Sequence, residues 1–234
     1  MSNWTLQEET RSYYPVAVQK DPKNFSTINQ MICVYNAAMK ELVARLNILN
    51  DECKLESRRA LFHHIESRLK TPDSILEKAH RKGLQPTAEN LLQNILDIAG
   101  VRVVCSYIQD VYDVFKFISI QDDLEIYRVR DYIENPKPNG YRSLHMVIRV
   151  PVHRRGGVEH IPVEMQIRTM AMDFWASLEH DLRYKKIQTV GDIDISEELL
   201  ACNIEIAAVE KRMQAMADML GETDSLSNAQ PLIL

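Results

Sequence analysis

From Ile28 onward the apolar positions step by four and three: Ile28, Ile32, Tyr35, Met39, Leu42, Leu46 and Leu49. That heptad-like stripe predicts a helix starting near Ser26 or Thr27, with Thr27 and Gln30 suited to a capping box. Residues 56–66 suit a second, short helix. In "RLKTPDSILEKAHRKG" a loop broken by Pro72 leads into a helix that Gly83 ends. A short helix around 88–96 follows. The pattern then changes. "GVRVVCSY" is rich in β-branched residues and predicts a strand, "IQDVYDVFKFI" a helix and "LEIYRVRD" a second strand. "RSLHMVIRVPV" and "VEHIPVEMQIRT" predict two strands joined through "HRRGG", where Gly156 and Gly157 suit a hairpin turn. A helix is predicted over 169–183, and "KKIQTVGDIDIS" reads as a linker. A last helix starts near Ser196, with a second stripe at Leu199, Cys202, Ile206, Val209, Met213, Met216 and Leu220.

Helices, then β, α, β, β, β, then helices predict an α/β (α+β) fold, a small mixed sheet flanked by helices rather than a regular βαβ array. Four segments are expected: a loose polar arm over 1–25, a helical segment over 26–66, a central domain over 67–186, and a linker plus C-terminal helix over 187–234, its tail fraying from Thr223.

Composition narrows the classes. The 234 residues are 45% hydrophobic and 26% charged, enough for one domain with a real core. The net charge of −5 argues against non-specific nucleic-acid binding, so local basic clusters must carry any anion chemistry. The start "MSNWTLQEE" has neither a basic nor an apolar signal region, and no apolar run is long enough to span a membrane. Cys33, Cys53, Cys105 and Cys202 are scattered, which favours reduced thiols over a disulfide frame or a zinc site. Together these predict a cytoplasmic protein.

Strand alternation sorts the candidate chemistry. Val163, Met165 and Ile167 share one face of the last strand, and Glu164, Gln166 and Arg168 the other. In the preceding strand Leu144, Met146 and Ile148 oppose Tyr141, Ser143 and His145. A solvated sheet face would give the same pattern on one strand; two neighbouring strands with such a face weaken that reading. Asp97 precedes the strand "GVRVVCSY" and Arg102 lies just inside it. Asp97 could simply cap a helix; facing Glu164, it would make a two-carboxylate site for Mg²⁺. Ser74, Lys78 and Arg81 fall on one helical face, with Arg68 and Lys70 just ahead of that helix. The set suits a polyphosphate, although a solvated basic face would look the same. No Walker loop, G-x-G-x-x-G fingerprint or H-E-x-x-H is present, and His180-Asp181 and His63-His64 read as structural.

Four segments, "RLKTPDSILEKAHRK", "DIAGVRVVC", "RDYIENPKPNGYRSLHMVI" and "VEMQIRTMAMDFWASLEHDLRYK", stand in the order found in the RelA/SpoT family. From about Arg68 to Lys185 the chain resembles that family's synthetase domain, and its length resembles a stand-alone small alarmone synthetase with no hydrolase domain. The resemblance implies a nucleotidyltransferase-like sheet and transfer of the β,γ-pyrophosphate of ATP to the ribose 3′-OH of GDP or GTP. It implies that Arg68 and Arg102 sandwich adenine and that Lys70, Ser74, Lys78 and Arg81 hold the ATP phosphates. It makes Asp97 and Glu164 the Mg²⁺ carboxylates, with Glu164 also activating the 3′-OH. It makes Tyr141 the ring stacked on guanine, and Lys137, Ser143, His145, Gln166 and Asp173 acceptor-side groups. Asp173 departs from the pattern, since many relatives carry Asn there, which puts acceptor choice in question.

The resemblance also implies a homo-oligomer, commonly a tetramer built through terminal helices, with an alarmone or RNA as a further ligand in some members. Two other functions fit the same motifs. One is pyrophosphate transfer to another acceptor such as a tRNA 3′ end, which calls for a basic patch beyond "HRR" at 153–155. The other is a non-catalytic nucleotide or RNA sensor, which should have lost Asp97 or Glu164.

Overall fold

The computed structural model describes residues 22–57, 59–85, 87–184, 189–190 and 193–221. Helix α1 (Pro22–Ser57) starts four residues ahead of the expected Ser26, with proline at a helix start, where its missing N–H costs nothing. Its stripe turns into the protein: Tyr35, Leu42 and Leu46 are wholly buried, and Met39 and Leu49 nearly so. The polar arm up to residue 21, and the tail from 222, lie outside the described residues.

The predicted helix over 56–66 is corrected. The sequence from Phe62 to Leu69 forms strand β1, paired antiparallel with β2 (Ala99–Cys105). It is an edge strand with a bulge at Phe62/His64, and that irregularity hides the two-residue period in "FHHIESRL". Helix α2 (Pro72–Arg81) follows, with Thr71 as its N-cap. Gly83, at φ +66°, leads the chain away from its end, as expected. Then come α3 (Ala88–Asn94), α4 (Ile108–Ser119), β3 (Glu125–Asp131), β4 (Leu144–Arg154) and β5 (Gly157–Thr169). Helix α5 (Met170–Tyr184) leaves β5 directly. The expected linker contains two short paired strands, β6 (Thr189–Val190) and β7 (Ile193–Asp194), ahead of α6 (Ile195–Met219). Among the described residues no helix is long and apolar enough to cross a membrane.

The main sheet runs β1-β2-β5-β4-β3, with β2 and β5 parallel and the other neighbours antiparallel. Register aligns the faces. Val101, Met165 and Met146 pair across three strands, as do Val103, Ile167 and Leu144, and all six are buried. This apolar side lies in one core cluster with the buried stripe of α1 and with Val111, Val114 and Ile118 of α4. The other face carries the chemistry, because every paired residue on it points away from that core.

Candidate active site

Glu66, Arg102, Gln166, His145 and Arg130 form one row across all five strands, each paired with the next. The adjacent row is Arg68, Gly100, Glu164, Val147 and Arg128. Gly100 has no side chain between Arg68 and Glu164, so the sheet surface is open there. A cavity of about 280 Å³ lies over this end, lined by Glu66, Arg68, Lys70, Arg102 and Gln166 among others. A second, of about 210 Å³, lies over β4 and β3, with Lys78, Lys82, Arg128, Arg130 and His145 in its wall. Asp97 and Glu164 line both.

The expected pair of carboxylates is thus brought to one place, at the junction of two cationic cavities. Asp97 Oδ2 accepts hydrogen bonds from Lys70 Nζ at 2.6 Å and Lys78 Nζ at 2.5 Å. Burial pushes the Asp97 carboxyl up, but the two ammonium groups outweigh it and hold the group below the usual carboxylate range. Asp97 Oδ1 is buried without a hydrogen-bond partner among the described residues. Among those residues no cluster of three or more His, Cys, Asp or Glu could hold a metal alone. Asp97 and Glu164 would therefore hold a dication only together with further oxygens from substrate and water, as suits Mg²⁺. The donor set and the unpaired Oδ1 fit such an ion.

The acceptor-side candidates form a second cluster. Arg168 Nη2 donates to the Tyr141 hydroxyl at 2.7 Å, and that hydroxyl lies 2.8 Å from His145 Nε2. A guanidinium can only donate, which leaves the Tyr141 proton available to Nε2 in the tautomer of His145 that carries its hydrogen on Nδ1. The His145 proton is then on Nδ1, which lies 3.9 Å from Glu164 Oε1. Burial, with Arg168, Lys137 and Arg130 nearby, pushes the His145 pKa down to about 3, so the imidazole is neutral and this contact is not an ion pair. Lys137 Nζ sits 4.4 Å from the Tyr141 ring centroid and 4.7 Å from that of Tyr132. Asp173 Oδ1 accepts from Arg168 Nη1 at 3.1 Å and lies 3.4 Å from Arg102 Nη1, between the two halves of the site.

Three candidates fall elsewhere. Ser143 is wholly buried, its hydroxyl donating to the Ile167 carbonyl at 3.1 Å, so it offers nothing to the cleft. It precedes β4, and strand alternation extended back from His145 misplaced it. Ser74 sits in the first turn of α2 beside its cap and Arg81 is exposed in the last; neither lines the two cavities. Cavity-lining groups that the motifs did not reveal are Glu66, Lys82, Arg128 and Arg130. The first lay in the unrecognised β1; for the arginines the signal was alternation in "YRVRD".

Residues 67–189 match the family described as "Region found in RelA / SpoT proteins". The GTP pyrophosphokinase YwaC of Bacillus subtilis (strain 168) is 46% identical over 154 residues, 66% of this chain and 73% of that protein. Small alarmone synthetase 2 from Bacillus subtilis, a crystal structure, is 38% identical with a TM-score of 0.72, covering 82% of this chain and 98% of that one. Small alarmone synthetase 1 from the same organism, bound to its product pppGpp, is 30% identical with a TM-score of 0.74, covering 84% and 99%. Fold, cavities and sequence agree: the chain belongs to the RelA/SpoT family. The small alarmone synthetases are the members it is similar to over most of its length.

Proposed function

We propose that this protein transfers the β,γ-pyrophosphate of ATP to the ribose 3′-OH of GDP or GTP, giving AMP and ppGpp or pppGpp. The observation that carries this reading is the meeting of two cation-lined cavities at Asp97 and Glu164. Such a transfer needs a donor polyphosphate and an acceptor hydroxyl held in line, with negative charge neutralised from both sides.

ATP enters the cavity over β1 and β2, its adenine between Arg68 and Arg102. Its phosphates draw Lys70 and Lys78 off Asp97. Asp97 and Glu164 would hold Mg²⁺, which would supply charge to polarise the transferred phosphoryl oxygens. Guanine stacks on Tyr141 after Lys137 swings from the ring towards phosphate. Asp173 turns a carboxylate towards the adjacent N1–H and N2–H donors of guanine, an edge that adenine lacks. Gln166 and His145 flank the ribose and phosphates, and Arg128 and Arg130 supply charge for the acceptor's 5′-phosphates. Glu164 takes the 3′-OH proton as the new O–P bond forms and the bond between the α-phosphate and the pyrophosphate breaks, releasing AMP.

The protein acts in the cytoplasm as a homo-oligomer. The exposed apolar residues Val209, Met213 and Met216 of α6 and Phe174 and Leu178 of α5 support assembly through the C-terminal helices. Purified protein given Mg²⁺, ATP and GDP should yield AMP and ppGpp in equal amounts. Labelling of tRNA from ATP with no ppGpp would overturn the acceptor assignment.

A further inference from the structure

Tyr141 is flanked by two residues that turn the other way. The Gly140 carbonyl accepts a hydrogen bond from Asn203 Nδ2 on α6. Arg142 is buried, its Nη1 2.7 Å from Glu210 Oε2, also on α6, while its Nε and Nη2 have no hydrogen-bond partner among the described residues. Glu210 therefore supplies the charge that balances Arg142. Its other oxygen accepts from the Thr169 hydroxyl. That hydroxyl in turn accepts from the Met172 amide in the first turn of α5, 3.2 Å away, one residue before Asp173. The loop also fits tightly against α6. Gly140 is at φ +89°, and a Cβ there would meet Asn203 Nδ2 at 2.7 Å and Leu200 Cδ1 at 3.1 Å.

One helix outside the matched residues 67–189 thus grips the loop on both sides of the Tyr141 ring and the helix start that carries Asp173. No atom of Glu210 or Asn203 lines either cavity. We propose that Glu210 and Asn203 are positioning residues for the acceptor, fixing the Tyr141 ring relative to the Asp173 carboxylate while leaving the ATP half untouched. This rests on Tyr141 and Asp173 binding the acceptor, as proposed above. The polar pair acts through geometry: Glu210 forks between the two acceptor groups, so its loss lets them move apart independently.

The test uses two isosteric variants of the full chain, Glu210→Gln and Asn203→Asp, the second removing the donor to Gly140. Initial rates of AMP and ppGpp formation are measured with Mg²⁺ against GDP and, separately, ATP. The GDP KM should rise about tenfold, the loss expected for one misplaced charge-assisted contact, with the ATP KM within about twofold. An unchanged GDP KM, or equal rises in both KM values as general loosening would give, overturns the proposal. Gly140→Ala approaches the same contact from the loop and keeps both α6 side chains; it should show the same one-sided rise should either α6 variant fail to fold. A wild-type protein that makes no ppGpp would overturn the reading of the site itself, and this inference with it. Wild-type ppGpp synthesis with unaltered variants would overturn the α6 inference alone.

Discussion

Burial, and the charges of Arg168, Lys137 and Arg130, bring the His145 pKa to about 3, from the 6.5 of a free imidazole. The sign of the linkage follows. Below pH 6.5 the unfolded chain binds a proton that the fold refuses, so this site's stabilisation is complete above 6.5 and lost as pH falls towards 3. Urea midpoints should therefore fall on acidification from about pH 7 to 5, and His145→Gln should flatten that fall. Nitrogen-detected NMR should find the ring neutral, with its proton on Nδ1, throughout the same interval. Glu164→Gln addresses chemistry rather than protonation of the fold. It should abolish transfer while binding of a non-hydrolysable ATP analogue survives; near-normal turnover would remove Glu164 from its role. Tyr141→Ala removes a stacking platform worth ~1–3 kcal/mol, so the GDP KM should rise between about 5-fold and 150-fold while ATP binding holds.

The two helices with heptad-like stripes have different fates. In α1 the stripe is core: Leu46 and Leu42 are wholly buried. In α6 it faces outward, with Val209, Met213 and Met216 each more than half exposed, and the positions turned inward are Asn203, Glu210 and Ala217, seven apart. Period alone could not tell these cases apart, because the inward face of α6 is specified by a polar network with β5 and the loop between β3 and β4. Strands β2, β4 and β5 were legible because one face of each is apolar at every second residue. Strand β1 was not, since an edge strand with a bulge and a charged face carries little of that signal. The site followed the same logic: Glu164, Gln166 and His145 could be placed by alternation within regular strands, whereas Ser143, just outside one, could not. Leu46→Ala should cost about 2–5 kcal/mol in urea unfolding, the penalty for an unfilled core position. Met213→Ala, at a concentration where the chain is monomeric, should cost under about 0.5 kcal/mol.

At the scale of the whole molecule, the outward face of α6 joins an exposed stripe on α5, where Met170, Phe174, Leu178 and Leu182 recur every four residues. Apolar surface on two adjacent helices is costly to leave in water, and a second copy of the chain would cover it. Light scattering after size exclusion should give a multiple of 27.0 kDa at micromolar concentration. Met213→Glu, which puts a charge in the middle of the α6 stripe, should shift the mass towards that of one chain. The inward face of the same helix grips Gly140 and Arg142, so covering the outward face would hold α6, and with it Tyr141, in place. The dissociated variant should then show a higher GDP KM than wild type with an ATP KM that stays level, in the same direction as Glu210→Gln but smaller. If dissociation instead leaves the GDP KM unchanged, α6 is held firmly enough by Asn203, Glu210 and the Trp175 hydrogen bond to the Leu199 carbonyl, 2.8 Å long, to set the acceptor site within a single chain.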